Sequence, residues 1–236
     1  MATKLNFKSA DLDQIRALDT CTVSNAIERL NIRLRNEGFI SGSVRCRFPN
    51  LAPMVGYAVT GQIRSSSPPV SGRCYYDRMD FWNYMTTIPA PRVLVLQDVD
   101  RAPGFGAFVG EIHATICQAL QCVGYVSNGA ARDLPAVKAL GFHLFSGSVA
   151  VSHAYAHLAE FGEPVEIGGL KIRPGDLLHG DRHGVQAIPV DFIPEIAEQA
   201  ARIQREEREL MDFCRSPRFS LDGLAEITRQ VAEDCL

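Results

Sequence analysis

The spacing of apolar positions predicts helices near both ends of the chain. Residues 9–31 contain two stretches with helical spacing, and Thr20 or Thr22 is a candidate N-cap of the second one. Helical spacing returns over 191–211 and 220–233. We therefore expect a helical N-terminal part and a helical C-terminal part on either side of a differently patterned middle.

In the middle of the chain the pattern changes to strands that alternate with helices. The run RVLVLQDVD at 92–100 is almost continuously apolar over a strand's length, which is typical of a strand covered on both faces. The other predicted elements of this part are a strand at 54–64, helices at 77–88, 108–122 and 134–140, and strands at 123–127 and 142–145. The β-α-β-α-β rhythm that begins at residue 92 implies parallel strands.

Turn residues divide the remaining part of the chain into short strands and one clear loop. PVEIGGLKI at 164–172 reads as a strand, a Gly-Gly turn and a second strand. RPGDLLHGDRHGVQAIP adds further short strands, broken at Pro-Gly and His-Gly. SSSPPVSGR at 65–73 is the clearest loop and could be mobile.

Composition indicates an ordinary globular protein. Hydrophobic residues make up 46% of the 236 positions and charged residues 22%, and the formal net charge is -3, so no overall field attracts nucleic acid. No apolar run approaches membrane-spanning length, and the first residues lack a secretory signal's apolar core. We expect a cytoplasmic protein without nucleic-acid or membrane partners. We also expect one domain over 1–236, with helical N-terminal (9–31) and C-terminal (191–236) parts.

Cysteine usage argues against disulfides and structural zinc. The seven cysteines are an odd number, widely scattered and without a C-x-x-C pair. Cys117 and Cys122 lie on the predicted helix 108–122 and are expected to pack in the core. Trp82 and its aromatic neighbours are likewise expected in the core or at a subunit contact.

The candidate chemistry lies between residues 104 and 133. Three glycines in 104–110 lead to Glu111 at a helix start, where exposed amides and the helix dipole can bind a small carboxylate or phosphate. Glu111 can cap the helix or hold a cation. After the next strand, Arg132 could grip a carboxylate at two points and Asp133 could ligate a metal ion.

Two other interpretations of these residues stay open. Glycine-rich helix starts and Arg-Asp pairs are common without any function. A dinucleotide-binding fold would also place glycines between a strand and a helix, with an acid about 20 residues further on. Two observations argue against a dinucleotide-binding fold. Gly110 lies one residue later than the G-x-G-x-x-G spacing requires, and Asp133 lies several residues beyond the second strand with Arg132 beside it.

GAFVGEIHATICQALQCVGYVSNGAARD resembles the signature of the RraA-like family, which includes 4-hydroxy-4-methyl-2-oxoglutarate/4-carboxy-4-hydroxy-2-oxoadipate aldolases and the regulator of RNase E activity. The family pattern is an acid, twenty intervening residues and Arg-Asp, which Glu111, Arg132 and Asp133 match. Similarity extends from TVSNAIERL to PGDLLHGDRHGVQAIP. The resemblance implies an α/β fold: a compact α/β/β/α sandwich that resembles phosphohistidine domains, with helical extensions at both termini.

The resemblance also implies roles for the site residues. Asp133 would contact a Mg²⁺ or Mn²⁺ ion, and Glu111 would hold a water on that metal. Arg132 would bind the 2-oxo acid end of the substrate, and the amides after Gly110, those of Ile112 and His113, would receive its carboxylate. The family forms homotrimers or homohexamers with sites between subunits. A further acid would come from the C-terminal region of a neighbouring subunit, and the candidates are Glu206, Glu207 and Glu209.

Two positions depart from the family pattern. Family members often have more acids where this chain has Asp181-Arg182-His183-Gly184, and often an acid three residues after the Arg-Asp pair, where Ala136 stands here. The surroundings of the site, and with them the substrate, can therefore differ.

The lysines favour metal chemistry over a Schiff base. Breaking a carbon–carbon bond next to a 2-oxo acid leaves an enolate, which a lysine adduct or a Lewis-acidic metal can stabilise. The chain has only Lys4, Lys8, Lys138 and Lys171, and none is expected in a desolvated place. We therefore expect a metal-dependent, pyruvate-releasing lyase, with oxaloacetate decarboxylation as a second activity. The alternatives are a non-catalytic regulator that binds a protein such as an RNase, and an inactive scaffold.

Four histidines offer weaker signals. His153 and His157 stand four residues apart, a helical zinc spacing, but the glutamate of the protease motif is absent and a helical or surface role is expected. His179 and His183 flank Asp181, and they either line a pocket or occupy turns beside Gly180 and Gly184.

Overall fold

The structure is a computed structural model that describes residues 9–69 and 78–233. Within these ranges the helices are α1 (Ser9–Arg16), α2 (Thr20–Arg29), α3 (Arg78–Thr87), α4 (Glu111–Ala119), α5 (Leu134–Ala139), α6 (Ile193–Arg215) and α7 (Leu221–Glu233). The strands are β1 (Arg45–Cys46), β2 (Met54–Arg64), β3 (Arg92–Asp98), β4 (Ala107–Val109), β5 (Cys122–Ala131), β6 (His143–Val149), β7 (His157–Phe161), β8 (Val165–Ile167), β9 (Leu170–Ile172), β10 (Leu177–Asp181) and β11 (Gly184–Ile188).

One mixed sheet organises the chain. Its strand order is β1-β6-β5-β3-β2-β10-β11, with β4 beside β5 and β7 beside β2. The pairs β3–β5 and β5–β6 are parallel, as the alternation of strands and helices from residue 92 predicts, and β2–β3 is parallel as well. The strands β10 and β11 continue the sheet in antiparallel order.

The sheet curls so that its two halves face each other across an apolar interior. A methyl group on Gly180 of β10 would lie 3.0 Å from the ring of Phe145 on β6, although β5, β3 and β2 separate these two strands in the sheet. Val93, Val95 and Val126 point into this interior, which the β8–β9 hairpin closes with its own apolar side chains.

Helices cover the outer faces of the two halves. The alternate residues of β3, Leu94 and Leu96, pack outward in a cluster with side chains of α3, α4 and α5. Around β2, β10 and β11, a third cluster is filled by α1, α2 and the first half of α6. The result is the α/β/β/α sandwich that the sequence predicts, with helical parts at the N-terminal and C-terminal ends.

The structure corrects three local predictions. Ala107–Val109 forms the strand β4, so the helix expected from residue 108 starts only at Glu111. The strand predicted at 123–127 extends to Ala131, which places Arg132 directly at its end. The N-cap of α2 is Asp19, whose carboxylate accepts hydrogen bonds from the amide and hydroxyl of Thr22.

Two further expectations concern loops and membranes. Residues 65–69 form a loop as expected, and 70–73 lie outside the described residues. No helix in the described part of the chain has the length and apolar character needed to cross a membrane.

A buried carboxylate ties the N-terminal helices to the sheet. Asp181, at the end of β10, accepts bonds from the Thr20 amide (2.9 Å) and hydroxyl (2.6 Å) and from the His183 amide (2.8 Å). Burial alone would raise the pKa of Asp181, but these hydrogen bonds hold it below its ordinary value. Thr20 therefore anchors α2 through Asp181 and does not cap it.

We expect Asp181→Asn to lower the free energy of unfolding by about 2 kcal/mol, because it weakens hydrogen bonds to a charged group in a buried place. The pKa of Asp181 is lower in the folded state than in the unfolded state. The stability that ionised Asp181 gives the wild type is therefore fully present above the pKa of the unfolded state, and it is lost as the pH falls through the pKa of the folded state. Urea unfolding at several pH values measures both effects. Glu166→Gln, at an exposed position of β8, should change stability by less than about 0.5 kcal/mol. An equal effect of the two substitutions would contradict the anchoring role.

Candidate active site

Two strand-to-helix junctions lie side by side and form the predicted corner. Strand β4 leads through Gly110 into α4, and the neighbouring parallel strand β5 leads through Arg132 and Asp133 into α5. The Arg132 amide donates to the carbonyl of Val109 at 3.0 Å, which extends the β4–β5 pairing to the start of both helices. The sandwich thus brings Glu111, Arg132 and Asp133 together, as the spacing predicts.

Asp133 links the two junctions. One of its carboxylate oxygens, Oδ2, accepts a hydrogen bond from the Glu111 amide at 3.2 Å, and Oδ1 accepts one from Arg132 Nε at 3.2 Å. Asp133 precedes α5 with a left-handed backbone (φ 55°, ψ 37°), an uncommon conformation for a residue with a side chain. The Asp133 carboxylate, just before α5, therefore accepts a hydrogen bond from the first amide of α4.

Gly110 makes this close approach possible. A Cβ atom at this position would overlap Asp133 Oδ2 and would lie 3.0 Å from Arg132 Cγ. Its φ of −137° is accessible to any residue, so the glycine is needed for space and not for its backbone freedom. The last of the three glycines in the motif is therefore explained by contact with the Arg-Asp pair.

The electrostatics of the corner keep Asp133 ionised. The hydrogen bond from the Glu111 amide is the largest effect on Asp133 and lowers its pKa. Burial opposes it and is the second largest effect, and the Arg132 guanidinium and His153 lower the pKa further. Both Arg132 and Asp133 remain partly accessible to solvent. An ionised, accessible carboxylate beside a guanidinium can bind a cation and an anionic ligand at neighbouring positions.

The first turn of α4 presents its amides to the same corner. Glu111, Ile112 and His113 are the first three residues of the helix, and amides of a first turn point out of the helix end. The ring of His113 turns the other way: it is half-buried and packs against Phe108 with ring centroids 5.1 Å apart. The side chains of Glu111 and Ile112 are exposed. The backbone amide of His113, to which the resemblance assigns a role in ligand binding, therefore belongs to the exposed helix start although its ring packs inward.

The structure places His153 next to the corner. The sequence predicts only a helical or surface position for this histidine. No helix forms here, because residues 150–156 are a loop between β6 and β7. His153 Nδ1 lies 2.7 Å from the carbonyl of Ala107, and the charge of this histidine is one cause of the lowered pKa of Asp133. Gly106 packs directly against the backbone of His153. His153 lies twenty positions after Asp133 in the sequence, and no motif connects the two residues.

Large apolar side chains are exposed on the segments that meet at the corner. Val149 pairs with Ala131 at the end of β5, next to Arg132, and Phe105 precedes the glycine that packs on His153. Val151 is 96% exposed. We call the following five exposed residues the apolar rim: Phe105, Ile112, Val149, Val151 and Tyr155.

The three C-terminal acids differ in their contacts within the chain. Glu206 Oε2 pairs with Arg29 at 2.8 Å and Oε1 with Arg202 at 2.8 Å, in a mostly buried place between α6 and α2. Glu207 and Glu209 are exposed on the same helix. Glu206 is therefore committed to the fold of its own chain, and Glu207 and Glu209 remain as the candidates for a neighbouring site.

The remaining histidines and cysteines lie in other surroundings. His179 is fully buried in β10, where Nε2 lies 3.0 Å from the carbonyl of Leu18, whereas His183 occupies the β10–β11 turn and lines a cavity. Both expectations for these residues, turn and pocket, therefore apply to His183 and neither to His179. Cys117 and Cys122 are buried in the core as predicted, but only Cys117 lies on the helix, because α4 ends at Ala119 and Cys122 begins β5.

The donors at the corner suit a hard divalent cation. Carboxylate oxygens are the ligands that Mg²⁺ and Mn²⁺ prefer, and Mg²⁺ typically takes one or two carboxylates and keeps several waters. Asp133 offers an ionised carboxylate, and Glu111 carries another on the adjacent helix turn. Over residues 9–69 and 78–233, no group of three or more His, Cys, Asp or Glu side chains could hold a metal. The residues present fit a mostly hydrated ion and do not form a closed protein cage.

We expect Gly110→Ala to lower the free energy of unfolding by about 1–3 kcal/mol, because the added methyl group must displace the Asp133 carboxylate. The matched control is Gly42→Ala, where a Cβ atom would meet nothing within 4 Å, and this change should cost less than about 0.5 kcal/mol. Urea unfolding of both variants measures the difference. If Gly110→Ala is as stable as Gly42→Ala, the close packing of Gly110 on Asp133 is wrong.

The chain is similar to known proteins in sequence and in fold. The sequence model described as "RraA-like: Aldolase/RraA" matches residues 20–186. A protein of Halalkalibacterium halodurans, provisionally named a 4-hydroxy-4-methyl-2-oxoglutarate aldolase, is 32% identical over 102 residues, which are 43% of this chain and 49% of that protein. The matched stretch thus spans about half the length of this relative.

Two solved structures share the fold. An uncharacterised protein of Pseudomonas syringae has a TM-score of 0.71 at 25% identity and covers 93% of this chain and 94% of its own. RraAS2 of Streptomyces coelicolor, described as an unusual member of the RNase ES inhibitor RraA protein family, has a TM-score of 0.66 at 21% identity and covers 89% of this chain and 98% of its own. Because the family match includes more than half of the chain and both motif junctions, this chain belongs to the RraA-like family.

Proposed function

We propose that this chain is a divalent-metal-dependent carbon–carbon lyase that cleaves a 4-hydroxy-2-oxo acid and releases pyruvate. The observation that carries the proposal is the bridge formed by Asp133 between the Glu111 amide and Arg132. This bridge places an ionised carboxylate, a guanidinium and the amides of a helix start at one corner. The relative from Halalkalibacterium halodurans, whose name is that of an aldolase, supports the same chemistry.

The reaction requires stabilisation of one negative charge. The proton of the 4-hydroxyl group leaves, and the C3–C4 bond breaks with its electron pair moving toward the 2-oxo group. The fragment that contains C4 departs as an aldehyde or ketone, and protonation at C3 of the remaining enolate completes pyruvate. Charge develops on the 2-oxo oxygen, so groups that favour an anion there lower the barrier.

Arg132 and the first turn of α4 are placed to bind the 2-oxo acid end. The hydrogen bond to Asp133 uses only Nε of Arg132, and the guanidinium has four further N–H groups for a ligand. The amides of Ile112 and His113 would receive the substrate carboxylate at the positive end of the helix dipole. Arg132 would also position a water for proton transfer.

Asp133 would hold the divalent cation, with Glu111 nearby for its waters. Mg²⁺ or Mn²⁺ bound there would supply a Lewis acid for the 2-oxo oxygen. The hydrogen bonds of Asp133 leave lone pairs on both oxygens, so the same carboxylate can anchor the corner and ligate a cation. The lowered pKa of Asp133 keeps it in the charged form that a metal requires.

The lysines support this choice of mechanism. A Schiff-base lysine needs a desolvated position that lowers its pKa. Lys138 and Lys171, the lysines in the described ranges, are both exposed, and Lys4 and Lys8 lie outside those ranges. The same enolate chemistry without an aldol bond would give oxaloacetate decarboxylation, so we include this as a second activity.

A non-catalytic regulator that binds a protein such as an RNase is the rival function. The apolar rim favours it, since exposed patches of this kind mark interaction surfaces. A binding surface alone, however, has no use for an ionised Asp133 held between an amide and a guanidinium. We therefore assign the rim to a second copy of this chain in a homotrimer or homohexamer, in which Glu207 or Glu209 of the C-terminal helix could reach a neighbouring corner.

We expect Asp133→Asn and Arg132→Lys each to reduce pyruvate release at least 100-fold, because each removes a charge-stabilising contact to the reacting group. A lactate dehydrogenase-coupled assay over 4-hydroxy-2-oxo acids and oxaloacetate, with Mg²⁺ or with EDTA, measures this release. Arg173→Lys, at an exposed position after β9, is the matched control and should keep wild-type turnover. Full activity in EDTA, or in either corner variant, would refute the proposed mechanism.

We expect Val151→Asp to shift the protein toward smaller assemblies, since a charge on the apolar rim opposes its burial against a second copy. Light scattering coupled to gel filtration measures the mass. Leu34→Asp replaces another exposed apolar residue, 63% exposed and outside the rim, and should leave the mass unchanged. A wild-type protein that is monomeric, or a Val151→Asp variant with an unchanged mass, would speak against the assignment of the rim.

A further inference from the structure

A second cavity lies on the other half of the sandwich. Its volume is about 320 Å³, at the lower end of the range of small-molecule sites. One wall is a face of α2, a second is the start of β11, and a third is the segment that contains Arg35 and Phe39. In the sheet, β3, β2 and β10 separate β11 from β5, so this cavity is distinct from the Arg132–Asp133 corner of the same chain.

The α2 wall carries a carboxylate whose partners are easily exchanged. Glu28 Oε1 accepts from Ser24 at 3.4 Å, and Oε2 lies 3.9 Å from Arg35 Nε, both at the outer limit for such contacts. The Arg35 side chain is 81% exposed, and an ion pair of this kind contributes little to stability. Another cation could therefore replace Arg35 at small cost.

The surroundings of α2 favour a positive ligand. Asp19 and the buried Asp181 lie at the start of this helix, and both carboxylates raise the pKa of the Cys21 thiol in addition to the larger effect of its burial. Two of the nearby cations have other partners: Arg33 donates to the Ala187 carbonyl and Gln186, and His183 contacts Asp181 at 3.3 Å. Arg35 also lines the cavity, and its long contact to Glu28 is the one described above. Three carboxylates thus lie on or beside α2, and Glu28 is the one that lines the cavity.

Part of the cavity lining is apolar. Phe39 lines it with an exposed aromatic ring, and Ile40 and Val185 complete this surface. The Phe39 ring can stack on a flat hydrophobic group, and Glu28 of α2 lines the same cavity. The two walls together select a molecule with one cationic end and one apolar end.

We propose that this cavity binds a small organic amine, with its ammonium group on Glu28 and its apolar body against Phe39. The site is independent of the proposed lyase reaction, because none of its residues belongs to the Arg132–Asp133 corner. The probe is 2-phenylethylamine, and 3-phenylpropionate serves as the control of the same shape with the opposite charge.

Calorimetry on the full chain tests the charge preference. We expect 2-phenylethylamine to bind with a dissociation constant in the millimolar range or below, and 3-phenylpropionate to bind at least tenfold more weakly. Glu28→Gln should weaken the amine at least tenfold, since a charge-assisted hydrogen bond is lost. Phe39→Ala provides a second variant that leaves the carboxylate in place, and it should also weaken the amine. Equal binding of amine and acid, or no effect of either variant, overturns the proposal.

Thiol alkylation locates the ligand. Cys21 lines the cavity and is exposed, so saturating 2-phenylethylamine should slow its reaction with iodoacetamide, followed by mass spectrometry. Cys214, exposed on α6, is the internal control and should react at the same rate with and without the amine. An unchanged alkylation rate of Cys21 in the presence of the amine overturns the proposal. Protection of Cys21 that increases with protein concentration in the absence of amine also overturns it, because a second copy of the chain would then occupy the cavity. Pyruvate release by Glu28→Gln should equal that of wild type, so failure of this site and failure of the lyase assignment are distinguishable.

Discussion

The hydrogen bond from the Glu111 amide to Asp133 is the contact on which the candidate site depends. It joins the starts of two neighbouring helices, so that the position of each is defined by the other. Asp133 adopts a left-handed backbone at this point, which typically costs about 1 kcal/mol or more and persists only where the surroundings enforce it. The parallel pairing of β4 with β5 and the space left by Gly110 provide that enforcement. The corner is therefore a property of the sheet and not of a flexible loop.

The sequence predicts those site residues that lie within one short segment and misses those that join the site from elsewhere in the chain. Glu111, Arg132 and Asp133 lie at fixed distances along one β-α-β-α segment, so a spacing pattern is sufficient to find them. His153 joins the corner only because a loop after β6 folds back to the carbonyl of Ala107, a contact that no local pattern records. The sequence also gives no sign that Glu206 is paired within its own chain while Glu207 and Glu209 are exposed, since this depends on where Arg29 of α2 lies.

The fold shows a similar division between local and distant information. The apolar runs of β2 and β3 and the turns of the β8–β9 hairpin predict these strands correctly, because alternation and turn residues are local signals. Strand β4 was missed because Ala107–Val109 is a short apolar run that continues into the apolar positions of α4, and only its pairing with β5 makes it a strand. Thr20 reads as an N-cap because its type suits one, but its hydroxyl is bound by Asp181, 161 residues away.

The single chain leaves its corner open, and this bears on how catalysis could work. Charge stabilisation is strong only where water is excluded, yet Asp133 and Arg132 are partly exposed and the apolar rim faces solvent. A cover that brings apolar surface over the rim would lower the local dielectric without taking up the free N–H groups of Arg132. A second copy of the chain meets this requirement if it also supplies an acid, because α6 keeps Glu206 for its own fold and exposes Glu207 and Glu209. If the proposed lyase assembles in this way, assembly and catalysis would be coupled, because the surface buried by association would be the one that shields the corner from water.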